Sequence, residues 1–193
     1  MSSEEDARAR ESFARVIFRD MDTPRAVADL RALNSVVFPV RYSDNFYSDC
    51  AKAGSATQVA YDAVTGECVG GIACRMELDP TRDGARLYIM TLGVYAPHRQ
   101  GGIGSRLLQH ALNEASKDAF IRDVYLHVQT NNYQAFDFYE RFGFERGEIL
   151  RNYYRRIDPP DAIVLRRDLG EKWKPVDLPN VTVERSADAA LEG

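Results

Sequence analysis

No stretch constrains the fold of this chain more than Leu87 to Leu108, LYIMTLGVYAPHRQGGIGSRLL. Its first part alternates as a strand does: Tyr88, Met90 and Leu92 share one face, and Leu87, Ile89 and Thr91 share the other. Pro97 has no N–H to give to a ladder, so an interior strand cannot run through it. Further on, Ile103, Leu107, Leu108, Ala111, Leu112 and Ala115 recur at helical spacing and form one apolar stripe. A strand, a tight turn and an amphipathic helix are expected in direct succession.

The turn is Arg99, Gln100, Gly101, Gly102, Ile103 and Gly104. Glycines here permit positive φ and let backbone N–H groups at a helix N-terminus approach a ligand closely, an arrangement that suits a phosphate. Arg99 offers a charge-assisted contact besides. A glycine-rich turn that binds nothing fits the glycine count equally well. Two other phosphate loops are excluded. A Walker A loop needs Gly-Lys followed by Ser or Thr, and this turn has no lysine; the dinucleotide fingerprint needs a third glycine where Leu107 stands. What is left is Arg-x-x-Gly-x-Gly between a strand and a helix.

With 193 residues, 45% hydrophobic and 28% charged, the chain can build one substantial core. A net charge of −4 argues against a nucleic-acid groove as the main surface. No run approaches the ~20 apolar residues of a membrane span. Neither nucleic acid nor a membrane is expected as a partner. The acidic start MSSEED has the features of neither a secretory nor a transit peptide. Cys50, Cys68 and Cys74 are odd in number and match neither a disulfide framework nor a zinc spacing. Buried, inert thiols in a reducing intracellular compartment are expected, and no metal site.

Residues 1–14 read as a charge-rich, disordered extension. Val16 to Phe18 is a first strand, and Thr23-Pro24 supplies an N-cap and a first-turn proline for a helix that must stop before Pro39. The bulky loop Phe38 to Tyr42 either plugs a core edge or lines a pocket. A short helix from Asn45 to Lys52 follows, then antiparallel strands over Gln58–Asp62 and Glu67–Leu78. After the glycine turn and its helix, Asp123 to Gln129 forms a strand with Val124, Leu126 and Val128 on one face and Tyr125, His127 and Gln129 on the other. Asn131 or Asn132 caps a further helix that shows Ala135, Phe138, Tyr139 and Phe142 on one side and ends at Gly143. Phe144–Leu150 and Ile163–Arg167 close the order as an antiparallel pair. The fold class is α/β in the α+β sense: a mixed, mostly antiparallel sheet flanked by helices, splayed at its central parallel strands. One domain spans residues 15–169, and residues 170–193 read as a flexible tail.

Five stretches together resemble one family: LNSVVFPVRY from Leu33, RLYIMTLG from Arg86, APHRQGGIG from Ala96, VYLHVQ from Val124, and DFYERFGF from Asp137 followed by NYYRRI from Asn152. They are similar to the GNAT superfamily of N-acetyltransferases, within it to enzymes that acetylate protein N-termini. The likeness runs from about Val16 to Leu169. It implies acetyl-CoA as cosubstrate, held by Leu92, Gly93, Val94, Arg99, Gln100, Gly101, Gly102, Ile103, Gly104, Ser105, Asn132 and Tyr139. It implies that Tyr88 and His127 hold a water that takes the amine proton, that Tyr139 reaches the CoA sulfur as general acid, and that a backbone N–H near Leu92 faces the oxyanion. Phe38, Pro39, Val40, Tyr42, Arg75, Met90, Tyr153, Tyr154 and Ile157 would bind a substrate that begins with methionine. Implied partners are nascent or mature protein N-termini, the auxiliary and catalytic subunits of the NatA complex, and the ribosome, in the cytoplasm and also the nucleus. Gln100 and Gly101 depart from the family pattern, where two basic residues and a bulky one are usual.

Read without the resemblance, several residues have plainer roles: His127 a hydrogen-bonded strand histidine, Tyr139 a core aromatic, Asn132 a simple N-cap, and Tyr153-Tyr154 hairpin packing. Two other functions stand beside N-terminal acetylation. One is acetylation of a lysine or small amine, which an open acidic groove favours. The other is an inactive CoA-binding subunit, against which Tyr88, His127 and Tyr139 speak.

Overall fold

The computed structural model describes residues 15–79, 81 and 84–170. The expected extension 1–14, the tail from 171 onward and three residues of the turn near Pro80 lie outside the described residues. Strands and helices follow the order β1 (Val16–Asp20), α1 (Pro24–Val37), α2 (Asp44–Lys52), β2 (Gln58–Asp62), β3 (Cys68–Asp79), β4 (Gly84–Val94), α3 (Ile103–Ser116), β5 (Ile121–Gln129), α4 (Tyr133–Arg141), β6 (Glu145–Leu150) and β7 (Ala162–Asp168). This is the order read from the sequence.

One seven-stranded sheet runs β1-β2-β3-β4-β5-β7-β6. Every neighbouring pair is antiparallel except β4 and β5, which α3 joins as a parallel crossover. Two cores lie on its two faces. On one, the α3 stripe Ile103, Leu107, Leu108, Ala111, Leu112 and Ala115 is buried against Ile72, Leu87, Val124 and Leu126. Burying each of its leucines is worth roughly 1.5–3 kcal/mol, which fixes α3 firmly to the sheet. On the other face, Leu30 and Leu33 of α1 pack with Tyr47, Val59 and Ala73.

Local signals set the helix ends. Thr23 accepts from the Ala26 N–H at 3.2 Å, and Pro24 takes the first helical position of α1. Asn132 caps α4, its side chain accepting from the Ala135 N–H at 3.1 Å. At the other end of α4, Gly143 adopts φ +73°, its N–H bonds the Glu140 carbonyl at 2.8 Å, and the Phe144 N–H returns to the Tyr139 carbonyl at 3.2 Å. This pair of bonds is a Schellman motif, and the Tyr139 and Phe144 rings, 5.4 Å apart, supply its apolar contact.

Two expectations need correction. Between Ala73 and Cys74 the β3–β4 register slips: Ala73 faces Thr91 and Cys74 faces Ile89, so Met90 is an extra residue in β4. This bulge turns Leu92 over to the α3 side with Leu87 and Ile89, away from Met90, which packs on the α1 side. Cys50 and Cys74 are buried as expected, whereas Cys68 is only half-buried because it begins β3 beside a turn.

Gly143→Ala should cost about 1–3 kcal/mol, because a Cβ must adopt the left-handed region and would meet the Arg167 guanidinium that binds the Phe142 carbonyl. Chemical denaturation of the two proteins measures it.

Candidate active site

The glycine turn delivers β4 to α3 through a short 3-10 segment, Ala96–His98. Of its residues only Gln100 (φ 65°) and Gly102 (φ 85°) have positive φ. The left-handed position expected of the glycines thus falls partly on Gln100, and Gly101 does not use its freedom. Gly102 caps α3 without any side-chain hydrogen bond, unlike Thr23 and Asn132 on α1 and α4. The first N–H groups of α3 are therefore left for something outside the chain, and the positive end of the helix favours an anion. Arg99 spends its Nε on the Val94 carbonyl at 2.9 Å, tying the turn back to the end of β4.

The parallel β4–β5 ladder pairs Ala85 with Ile121 and ends where Tyr88 meets Tyr125. Both strands continue, β4 to Val94 held by β3 and β5 to Gln129 held by β7, yet no longer toward each other. The sheet is split there, and the split opens toward the α3 N-terminus. On the α1 side of the sheet at its start, the Tyr88 hydroxyl lies 3.0 Å from Nδ1 of His127. The Tyr153 hydroxyl lies 3.0 Å from the same nitrogen and 3.2 Å from Tyr88. Tyr153 also stacks on the imidazole at 4.4 Å, and the Tyr154 hydroxyl donates to the His127 carbonyl at 3.4 Å. Tyr88 and His127, expected to act together, are thus in direct hydrogen-bond contact.

The connection carrying Tyr153 and Tyr154 is pinned by three bonds. Gln129 Nε2 donates to the Pro159 carbonyl at 2.8 Å, the Asn152 N–H to Asp161 at 2.9 Å, and the Tyr154 N–H to the Pro160 carbonyl at 2.8 Å. Burial lowers the His127 pKa below the ordinary histidine value; Glu77 and Glu148 oppose this and Arg86 adds to it. The imidazole is then neutral at neutral pH and can accept at Nδ1 from either hydroxyl. Burial, reinforced by the bond to Tyr153, holds the Tyr88 phenol protonated well above its usual range. Burial and neighbouring Tyr153 push Tyr154 up to about 12.

The expected substrate residues only partly converge. Phe38 lies against β4 at Gly93, and Tyr42 packs edge-on to it at 6.3 Å and raises its pKa through burial and the nearby Tyr154. Met90 belongs to the same apolar group, while Val40 and Pro39 are exposed at its rim. Ile157 is half-buried in the Tyr153 connection. Arg75 lies at the cluster itself: it binds Glu77, with Nε at 2.9 Å, and its guanidinium sits over the Tyr88 ring at 5.4 Å. Tyr139 is buried in the core beside Phe138 and Phe144, and its hydroxyl makes no hydrogen bond among the described residues. Ile103, Gly104 and Ser105 form the first turn of α3. Two residues missed from sequence complete the cluster. Glu77 follows Arg75 by two on β3, and Tyr125 precedes His127 by two on β5, so the two-residue strand period could have found both. Among the described residues, no group of three or more side chains could hold a metal ion.

The Acetyltransferase (GNAT) family profile matches residues 24–144. The chain belongs to this family of acetyltransferases. It is 45% identical over 153 residues to N-alpha-acetyltransferase 50 of Danio rerio, covering 79% of this chain and 89% of the relative. It is 46% identical over 149 residues to the probable N-acetyltransferase san of Drosophila melanogaster, covering 76% and 78%. Among solved structures, Arabidopsis thaliana Naa50 in complex with the bisubstrate analogue CoA-Ac-MVNAL is 46% identical, with a TM-score of 0.72 over 79% of this chain and 98% of that one. The chain is thus a homologue of N-alpha-acetyltransferase 50.

The His127 imidazole should titrate below the ordinary value of ~6.5, being neutral above that midpoint and charged only as the pH falls through it. An NMR titration of the histidine ring signals, assigned with His127→Ala, measures the midpoint.

Proposed function

We propose that this chain transfers the acetyl group of acetyl-CoA to the α-amine of protein N-termini that begin with methionine, preferably before a hydrophobic second residue. The observation that carries this reading is the Tyr88–His127–Tyr153 cluster at the start of the split between β4 and β5. Beside it lies the aromatic group of Phe38 and Tyr42. The solved relative at 46% identity holds an acetylated Met-Val peptide joined to CoA, which fits a site of this shape.

The uncapped N-terminus of α3 and the open β4 edge suit CoA. Gly102, Ile103, Gly104 and Ser105, with Arg99, Gln100 and Gly101, would hold its diphosphate. Leu92, Gly93 and Val94 would line its arm, with Asn132 beside them. Acetyl-CoA supplies an acetyl group activated as a thioester. The chain's own part is proton traffic and orientation. Nδ1 of His127 receives the proton that the amine gives up, by way of the Tyr88 hydroxyl, which stays protonated. A peptide α-amine, with a pKa near ~8, asks less of such a base than a lysine near ~10.4. An N–H on the unpaired β4 edge at Leu92 faces the negative charge that develops on the acetyl oxygen. The Tyr139 hydroxyl, held protonated by burial, gives its proton to the departing sulfur. Tyr42, Tyr153, Tyr154, Met90, Pro39, Val40 and Ile157 orient the peptide. The proposal extends to nascent and mature N-termini as substrates in the cytoplasm and nucleus, with the NatA subunits and the ribosome as partners, a reading suggested by the family resemblance alone.

Two peptides test this reading with acetyl-CoA and tandem mass spectrometry: one begins Met-Leu with every lysine blocked, the other has a blocked N-terminus and one free lysine. Acetylation of the first alone, abolished in His127→Ala, is expected; preference for the second would overturn the substrate. Tyr139→Phe should lower kcat about 10²-fold while the KM for acetyl-CoA changes little, as steady-state kinetics on the first peptide would show.

A further inference from the structure

The β3–β4 and β4–β5 registers place Arg75, Tyr88 and Tyr125 in one row across three strands. Tyr88 sits in the middle, with the Arg75 guanidinium 5.4 Å from its ring on the β3 side and the Tyr125 ring stacked at 4.9 Å on the β5 side. This row is the last in the parallel ladder before the split. Glu77 joins its two ends. One carboxylate oxygen accepts from Arg75 and the other accepts from the Tyr125 hydroxyl. Tyr125 is held from below as well, with the Arg86 guanidinium 4.0 Å over its ring and bound in turn to the buried Asp123 at 2.7 Å. Arg166 on β7 meets the same Asp123 at 2.9 Å. Tyr125 also stands edge-on to His127 at 5.7 Å.

We infer that Glu77 and Tyr125 are positioning residues for acetyl transfer: their shared hydrogen bond closes a ring of contacts around Tyr88 and sets its hydroxyl against His127. Neither touches the reacting atoms. A tyrosine in the last rung of a ladder has no pairing beyond it on that edge, and its hydroxyl lies far from its Cα. An off-line shift of about 1 Å at such a group is enough to cost a large factor in rate. Arg75 on one side and Tyr125 on the other remove that freedom only if they are themselves tied, and Glu77 ties both. Its carboxylate adds a second effect, because a negative charge close to His127 favours the imidazolium that forms when the proton arrives. The groups that face His127 are Glu77 from β3, Tyr88 and Arg86 from β4, Tyr125 from its own strand, Glu148 from β6 and Tyr153 from the connection before β7. Glu77 and Glu148 are the two that carry negative charge.

This inference rests on the acetyl-transfer reading. Its test compares Glu77→Gln, Tyr125→Phe and the double variant with the unaltered chain. Tyr125→Phe keeps the ring stack and removes only the hydroxyl, so it guards against a variant that fails to fold; thermal melts of all three check this. Each single change should lower kcat for the Met-Leu peptide about tenfold and leave the KM for acetyl-CoA within twofold. The double variant should lose no more than the worse single one, because both break the same link. Glu77→Gln should also move the His127 NMR midpoint to lower pH, whereas Tyr125→Phe, which keeps the carboxylate, should not. Unchanged kcat in both single variants would overturn the inference. So would losses that multiply in the double variant, or a loss confined to the peptide KM, which would make Glu77 a substrate contact. If the unaltered chain acetylates no amine, the acetyl-transfer reading fails by itself, and an unmoved His127 midpoint in Glu77→Gln would independently overturn the second, electrostatic effect of the carboxylate.

Discussion

The end of the β4–β5 ladder at Tyr88 and Tyr125 is the constraint on which the rest of this protein depends. A parallel pair needs a crossover, and the crossover helix α3 packs its apolar stripe so tightly on one face that its N-terminus has a fixed place at the mouth of the split. Past Tyr88, β4 keeps β3 and β5 keeps β7, so the strands part without either one fraying. The backbone groups they no longer share are what the proposed reading gives to the acetyl carrier. An open edge in a sheet normally needs covering, and here the opening is kept at the functional site.

The two faces of the sheet divide the work. The α3 side is apolar around the split. The opposite side at the same level carries Arg75, Glu77, Arg86, Tyr88, Asp123, Tyr125, His127 and Arg166 in rows of alternating charge and aromatic ring. Of these charges only Asp123 is fully buried, a costly state unless it is paired, and Arg86 from β4 and Arg166 from β7 both meet it. These two ion pairs tie β4, β5 and β7 together there, and Arg75 pairs with Glu77 along β3.

Much of this was legible in the chain. The α3 stripe, the Thr23 and Asn132 caps and the terminating Gly143 follow from short-range rules, and the structure bears them out. Tyr88 and His127 were placed on the correct faces of their strands by alternation alone. The bulge at Met90 was not legible, since a period of two cannot show an inserted residue, and Leu92 was accordingly put on the wrong face. The stacking of Tyr153 on His127 was equally hidden. It depends on how Gln129, Asp161 and the backbone fold the connection before β7, which has no repeating pattern. The positive φ at Gln100 rather than Gly101 shows the same limit, because composition names the residues that can adopt such a conformation and not the one that does.

The split has a consequence for selectivity that no side chain supplies. Its two walls are strand edges, so a guest is judged by how well it imitates a strand. An extended arm bearing amides at intervals finds donors and acceptors on the way in, while a plain alkyl chain of equal length would leave those groups thirsty. With the carrier held there, as proposed, main-chain geometry would sort an amide-bearing arm from a plain alkyl one.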